Sequence, residues 1–112
     1  METTNNYEQL FRSLPVMATA IGPDGRYIDV NDSMLSRLGY QSGEMVGHRP
    51  AEFVTPDSAR RIDEEFLPTL RRTGRLVSKP VGFLTRDGDE VRCLTSAAVI
   101  GMTGGDLSLI HI

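Results

Sequence analysis

The residues of this 112-residue chain best equipped for chemistry are few: one cysteine, two histidines, one lysine, and scattered pairs of carboxylates. Cys93 with His48 as base, and Glu52 or Asp57 as orienting third group, would make a nucleophilic set. Their spacing gives that set no support, because a single cysteine in an apolar strand is normally an inert core residue and His48 follows Gly47 in a polar loop. Two histidines and one cysteine also fall short of a structural zinc pattern, so no metal is expected. Glu64 and Glu65 are adjacent on a predicted helix, diverge by about 100°, and read as a solvated face rather than an acid–base pair. Gly22-Pro-Asp-Gly25 and Gly101–Gly105 are turns without the strand-to-helix setting of a phosphate loop. No catalytic residue emerges. Lys79 is the informative charge, the only lysine among twelve basic residues. Strand alternation sets it on one face with Val77, Val81 and Phe83, where an ammonium facing apolar surroundings needs a partner. It can meet an anionic or carbonyl-bearing ligand, or lay its stem along the sheet and reach a surface carboxylate, and the second use is the commoner.

The elements that hold these residues follow from pattern. Tyr7, Leu10, Phe11 and Leu14 recur at helical spacing, Asn5 and Glu8 have the spacing of a capping box, and Pro15 ends the segment. A flanking helix over 1–15 is therefore set apart from a single domain over 16–112. Val16 to Ile21, the turn Pro23-Asp24-Gly25 and Arg26 to Val30 form a hairpin. Asn31 can cap a short helix carrying Met34, Leu35 and Leu38, ended by Gly39. Single turns at Ser42–Val46 and Pro50–Val54 precede a longer helix from Thr55-Pro56 to about Thr73, with Ile62, Phe66 and Leu70 on its buried stripe and Pro68 expected to bend or fray its last turn. Beyond Gly74 the period drops to two: a strand to Leu84, a turn at Arg86–Asp89, a strand over 90–100, a loop over Gly101–Gly105, and a last strand with Leu107, Leu109, Ile110 and Ile112.

Composition narrows the classes. Hydrophobic residues at 39% suffice for a core without staples, and a net charge of −3 with no basic cluster argues against direct nucleic-acid contact. A single cysteine allows no internal disulfide, and neither a signal peptide nor an apolar run near 18 residues is present, so a cytoplasmic domain that does not span a membrane is expected.

Gly22-Pro-Asp-Gly25-Arg-Tyr-Ile-Asp-Val-Asn31, Leu38-Gly39-Tyr40, Ser42-Gly-Glu-Met-Val-Gly47 and Arg86-Asp87-Gly88, in this order and spacing, resemble a PAS domain over nearly the whole chain. The resemblance implies an α+β fold with a five-stranded antiparallel sheet of order 2-1-5-4-3, one face covered by short helices and the longer helix, with a cavity between. It also implies a sensory or dimerisation module, cytoplasmic, feeding a kinase, cyclase or DNA-binding output domain elsewhere in a longer chain. No histidine lies between Thr55 and Thr73, where haem-binding members carry one and where Ile62 stands here. The Asn-Cys-Arg-Phe-Leu-Gln motif of flavin photosensors and the tryptophan of redox-flavin members are absent too, so neither haem nor flavin is expected. The family's closing Asp-Ile-Thr-like motif is missing, which leaves the output unread.

Within that frame Val91, Cys93, Thr95 and Ala97 face the cavity. The expected ligand site is Lys79 with Thr95 and Thr19 as polar contacts, and Met17, Ile28, Met34, Leu38, Ile62, Phe66, Phe83 and Cys93 as apolar walls. Its guest would be a small polar or anionic molecule, while large side chains such as Phe53 or Phe66 filling the space would leave a dimerisation module without a ligand. Tyr7, Leu10, Phe11 and Leu14 form the expected homodimer contact, since their stripe would otherwise stay exposed.

Overall fold

The computed structural model describes residues 9–102 and 105–111. Helical backbone over 9–13 (α1) leads to β1 (Ala18–Ile21) and β2 (Tyr27–Val30). Next come α2 (Asp32–Leu38), α3 (Ser42–Met45) and a 3-10 turn (Pro50–Phe53). A long helix is assembled from α4 (Pro56–Arg61), a π turn (Ile62–Phe66) and α5 (Leu67–Thr73). The strands β3 (Arg75–Leu84), β4 (Glu90–Met102) and β5 (Gly105–His111) follow. They form one antiparallel sheet in the order β2-β1-β5-β4-β3. Of the flanking stripe, Tyr7 lies outside the described residues, as do Asn5 and Glu8; Leu10 is 60% exposed, and Phe11 and Leu14 are half-buried.

Local chemistry explains the boundaries. In the first turn Gly25 adopts φ +81°, open to a residue without Cβ, and its N–H donates to the Gly22 carbonyl. Asn31 caps α2 by accepting from the Met34 N–H at 3.1 Å, and Gly39 closes it in the left-handed conformation. Thr55 accepts from Ser58 N–H at 3.2 Å with Pro56 in the first helical turn. The predicted loop at Gly101–Gly105 is largely sheet: β4 runs on to Met102, and Gly101 pairs with Asp106 and Met102 with Gly105.

Asn31 is wholly buried and saturated. Its Oδ1 also accepts from Ala18 N–H at 3.0 Å, while its Nδ2 donates to the carbonyls of Val16 at 2.8 Å and Phe11 at 3.2 Å. One side chain thereby joins the end of α1, the start of β1 and the start of α2. Ser33 adds a bond to the Leu14 carbonyl at 2.6 Å. The core beside this knot contains Val30, Met34, Leu38, Met45, Phe53, Phe66, Leu70 and Phe83, each large side chain worth about 1.5–3 kcal/mol on burial. Phe53 anchors the 3-10 turn within an aromatic cluster, edge-on to Tyr40 at 5.2 Å and tilted against Tyr27 at 6.1 Å.

Two bulges overturn expected faces. Ile21 pairs with Tyr27 and Ala20 with Asp29, so Ile28 is the extra residue: Tyr27 and Val30 point inward and Ile28 is 53% exposed, not a cavity wall. In β3 Leu76 pairs with Ala97 and Lys79 with Thr95, leaving Val77 and Ser78 opposite one residue, with Ser78 at φ +51°. Leu76 therefore turns inward and Val77, expected inside, is exposed.

Candidate functional site

A cavity of about 680 Å³ lies between the inner face of the sheet and the long helix. Thr19, Tyr27, Leu76, Val81, Phe83, Thr95 and Ala97 contribute from the strands, and Ile62, Phe66, Leu67 and Leu70 from the helix. At the rim stand the first turn, Pro23–Gly25, with Arg49, Asp63 and Arg71. The volume suits a small organic molecule, and the wall is mainly apolar with few polar groups. Small residues at Thr19, Thr95 and Ala97 keep side-chain bulk off the central strands, so Phe66 and Phe83 form walls without filling the space.

Thr95 is the distinctive wall residue. It is 7% exposed, and its Oγ1 is buried without a hydrogen-bond partner among the described residues. A hydroxyl in that condition costs about 1–3 kcal/mol relative to one that is satisfied. Tyr27 lies on the same wall, where burial pushes its phenol far above the ordinary value, so it stays a neutral donor.

Among the other expected site residues, Thr19, Ile62, Phe66 and Phe83 line the cavity with Thr95. Met34 and Leu38 are buried in the core beneath α2, outside the lining. Met17 and Cys93 are half-buried against the core and also off the wall. Lys79 sits opposite Thr95 in the register and alternates regularly with Val81 and Phe83, yet it is half-buried and outside the lining; the bulge reverses only the residues before it. Pattern reading missed Tyr27, since the bulge that exposes Ile28 has no sequence signal of its own. It missed Arg49 too, which the fold alone brings beside a turn more than twenty residues earlier in the chain.

The groups that could have formed a nucleophilic set have other attachments. His48 Nδ1 meets Glu52 Oε1 at 3.0 Å at the surface, while the Cys93 thiol faces the Val91 carbonyl at 3.7 Å and is pushed up in pKa by burial. Among the described residues no group of three or more His, Cys, Asp or Glu side chains could hold a metal. No helix among them is long and apolar enough to cross a membrane.

The helical wall owes its shape to Pro68. Lacking an N–H, and with a ring that would strike the carbonyl four residues back, this proline disfavours regular α geometry just ahead of it. The chain widens into a π turn, in which Leu67 N–H donates to the Ile62 carbonyl, and α5 then runs on unbroken to Thr73. The distortion thus precedes the proline; the last turn neither bends nor frays. Phe66 closes the π turn, with the Arg61 guanidinium 5.1 Å from its ring centroid. The start of the wall is latched to the sheet, where Gly82 N–H donates to Ser58 Oγ at 2.9 Å and Thr55 N–H donates to the Gly82 carbonyl at 2.8 Å.

The sheet and the long helix with its π turn thus enclose a mainly apolar cavity with a few polar groups on its wall. Residues 11–108 match the family model described as the PAS fold, and the chain belongs to that family. Among solved structures it is similar to the PAS domain of an HTR-like protein from Haloarcula marismortui, at 23% identity and a TM-score of 0.81, covering 97% of this chain and 88% of that one. A domain of a sensory box sensor histidine kinase/response regulator from Geobacter sulfurreducens matches at 23% identity and a TM-score of 0.73, covering 96% and 91%. The PAS domain of a LuxR-family transcriptional regulator from Burkholderia thailandensis, solved in complex with ethanol, matches at 16% identity and a TM-score of 0.78, covering 95% of each chain. No curated protein matches the sequence.

Proposed function

We infer that this domain is a non-catalytic sensory module that takes a small organic molecule into the cavity and passes a conformational bias to an output domain. The observation that carries this reading is the buried, unpartnered Thr95 hydroxyl on the wall of a space of about 680 Å³. A guest with a hydrogen-bonding group would satisfy it, and a domain that only dimerises gains nothing from keeping it. Thr19 and Tyr27 add hydroxyl groups, and Ile62, Phe66 and Phe83 the apolar walls. The regulator from Burkholderia thailandensis, whose PAS domain was solved with ethanol, and the kinase from Geobacter sulfurreducens support an input role beside an output domain. Signal transmission requires that the guest favour one arrangement of helix and sheet, since only differential affinity shifts an equilibrium.

Native mass spectrometry of freshly purified protein, compared with the denatured mass, tests the reading through the added mass of a co-purified guest. A bare native mass, with no stabilisation of the domain by any member of a screen of small carboxylates, keto acids, diols and alcohols, rejects it in favour of a dimerisation module. A homodimer accompanies the sensory role in this proposal, because Leu10 and Val16 leave apolar surface exposed around α1.

A further inference from the structure

The cavity's rim bears on the charge of its guest. Arg49, just ahead of the 3-10 turn, and Arg71, on α5, both reach the lining, and neither forms an ion pair among the described residues. The Arg49 guanidinium lies against the first turn, where a Cβ on Gly25 would stand 3.1 Å from its Nη1. Of the two acids at the same rim, Asp24 is already engaged by Arg26, through the backbone N–H at 3.1 Å and the guanidinium at 3.9 Å. Asp63 alone is left to offset two cations. Arg49 and Arg71 are exposed whereas Thr95 is buried, so charge and hydroxyl stand at different depths of one cavity.

Resting on the sensory reading above, we propose that the guest is an amphipathic organic anion, a carboxylate with an apolar, ring-sized body and a hydroxyl or carbonyl group at its inner end. The carboxylate lies at the rim on Arg49, with Arg71 adding to the field; guanidinium groups suit carboxylates through paired, parallel N–H bonds. The body lies against Phe66 and Phe83, and the inner oxygen meets Thr95 Oγ1. Lys79, off the cavity wall, takes no part.

Matched acids and amides separate charge from shape. Binding of 4-hydroxyphenylacetate and 3-(4-hydroxyphenyl)propanoate, each beside its uncharged amide, is measured by calorimetry on the wild-type domain and on Arg49→Gln, Arg71→Gln and Thr95→Val. The acids are expected to bind at least tenfold tighter than their amides. Arg49→Gln brings each acid down to the level of its amide and leaves the amides within twofold of wild type, Arg71→Gln produces a smaller loss of the same kind, and Thr95→Val weakens acids and amides alike. Equal binding of acid and amide by the wild type overturns the anionic guest and leaves the sensory reading standing. A preference for acids that survives both arginine substitutions removes the rim from recognition. Failure of every compound to bind, together with a bare native mass, removes the sensory reading along with this one.

Discussion

At the scale of single residues, Thr95 and Asn31 are opposite cases of a buried polar group. Thr95 lacks a partner, so Thr95→Val, which keeps the shape and deletes the hydroxyl, is expected to stabilise the ligand-free domain by about 1 kcal/mol. By calorimetry that is a rise in melting temperature of about 4–8 °C for a domain of this size, and a fall would mean that the hydroxyl is already satisfied. Asn31 is fully engaged, and Asn31→Ala strands the N–H groups of Ala18 and Met34 and two carbonyls. The expected loss is about 3 kcal/mol, read as a lower urea midpoint together with faster hydrogen exchange at both amides. Charge at the surface sets the acid limb of stability. The Arg86 guanidinium and the Gln41 N–H hold the Glu44 carboxyl below its usual range, and the Arg49 N–H and His48 do the same for Glu52. A lowered carboxyl pKa adds stability at neutral pH that is lost as pH falls through the folded-state value, so Glu44→Gln is expected to flatten the decline in urea midpoint below about pH 4. Of the site, sequence pattern revealed the residues that lie on regular periods: Phe66 on the helical stripe, and Thr95 and Phe83 on unbroken strand segments. Ile28 was misplaced because it is the extra residue of a bulge, and Val77 because the bulge ahead of Lys79 reverses the start of β3; Lys79 itself keeps the face that alternation assigns and still lies off the wall.

At the scale of elements, the boundaries set by backbone chemistry were the legible ones. Asn31 and Gly39 bracket α2, Thr55-Pro56 opens the long helix and Gly74 ends it, because capping and left-handed termini depend on a residue's own side chain or the lack of one. Geometry that answers a clash was not legible. Pro68 announced a disturbance, yet whether the helix frays after it or widens before it depends on the packing of Phe66 and Leu70 against the sheet. Pro68→Ala supplies the missing N–H and removes the clash, so the helix should revert to regular α geometry. Circular dichroism is expected to show more helix, with about 1 kcal/mol of added stability. Phe66 would rotate off the wall, so the variant's thermal stabilisation by a guest should shrink; an undiminished shift would separate the π turn from the cavity.

At the scale of the molecule, association and colour can be checked directly. The wild type is expected to scatter light as a dimer, and Leu10→Ser as a species shifted toward the monomer; a monomeric wild type sinks the contact at α1. With no histidine between Thr55 and Thr73 and neither the Asn-Cys-Arg-Phe-Leu-Gln motif nor a tryptophan in the sequence, the purified protein should show neither a haem nor a flavin band at stoichiometric intensity, which an absorption spectrum decides. The placement of β5 also has a kinetic side. The β1–β2 and β3–β4 hairpins each form from neighbouring segments, but what unites them in the sheet is the strand that comes last, pairing with β1 on one edge and β4 on the other. Joining Thr19 to Ile110 closes a loop of about ninety residues, an entropic toll collected near the end of folding. A nascent chain in which β4 has emerged and β5 has not therefore holds two unjoined hairpins with open edges, and chaperone demand should peak in that interval.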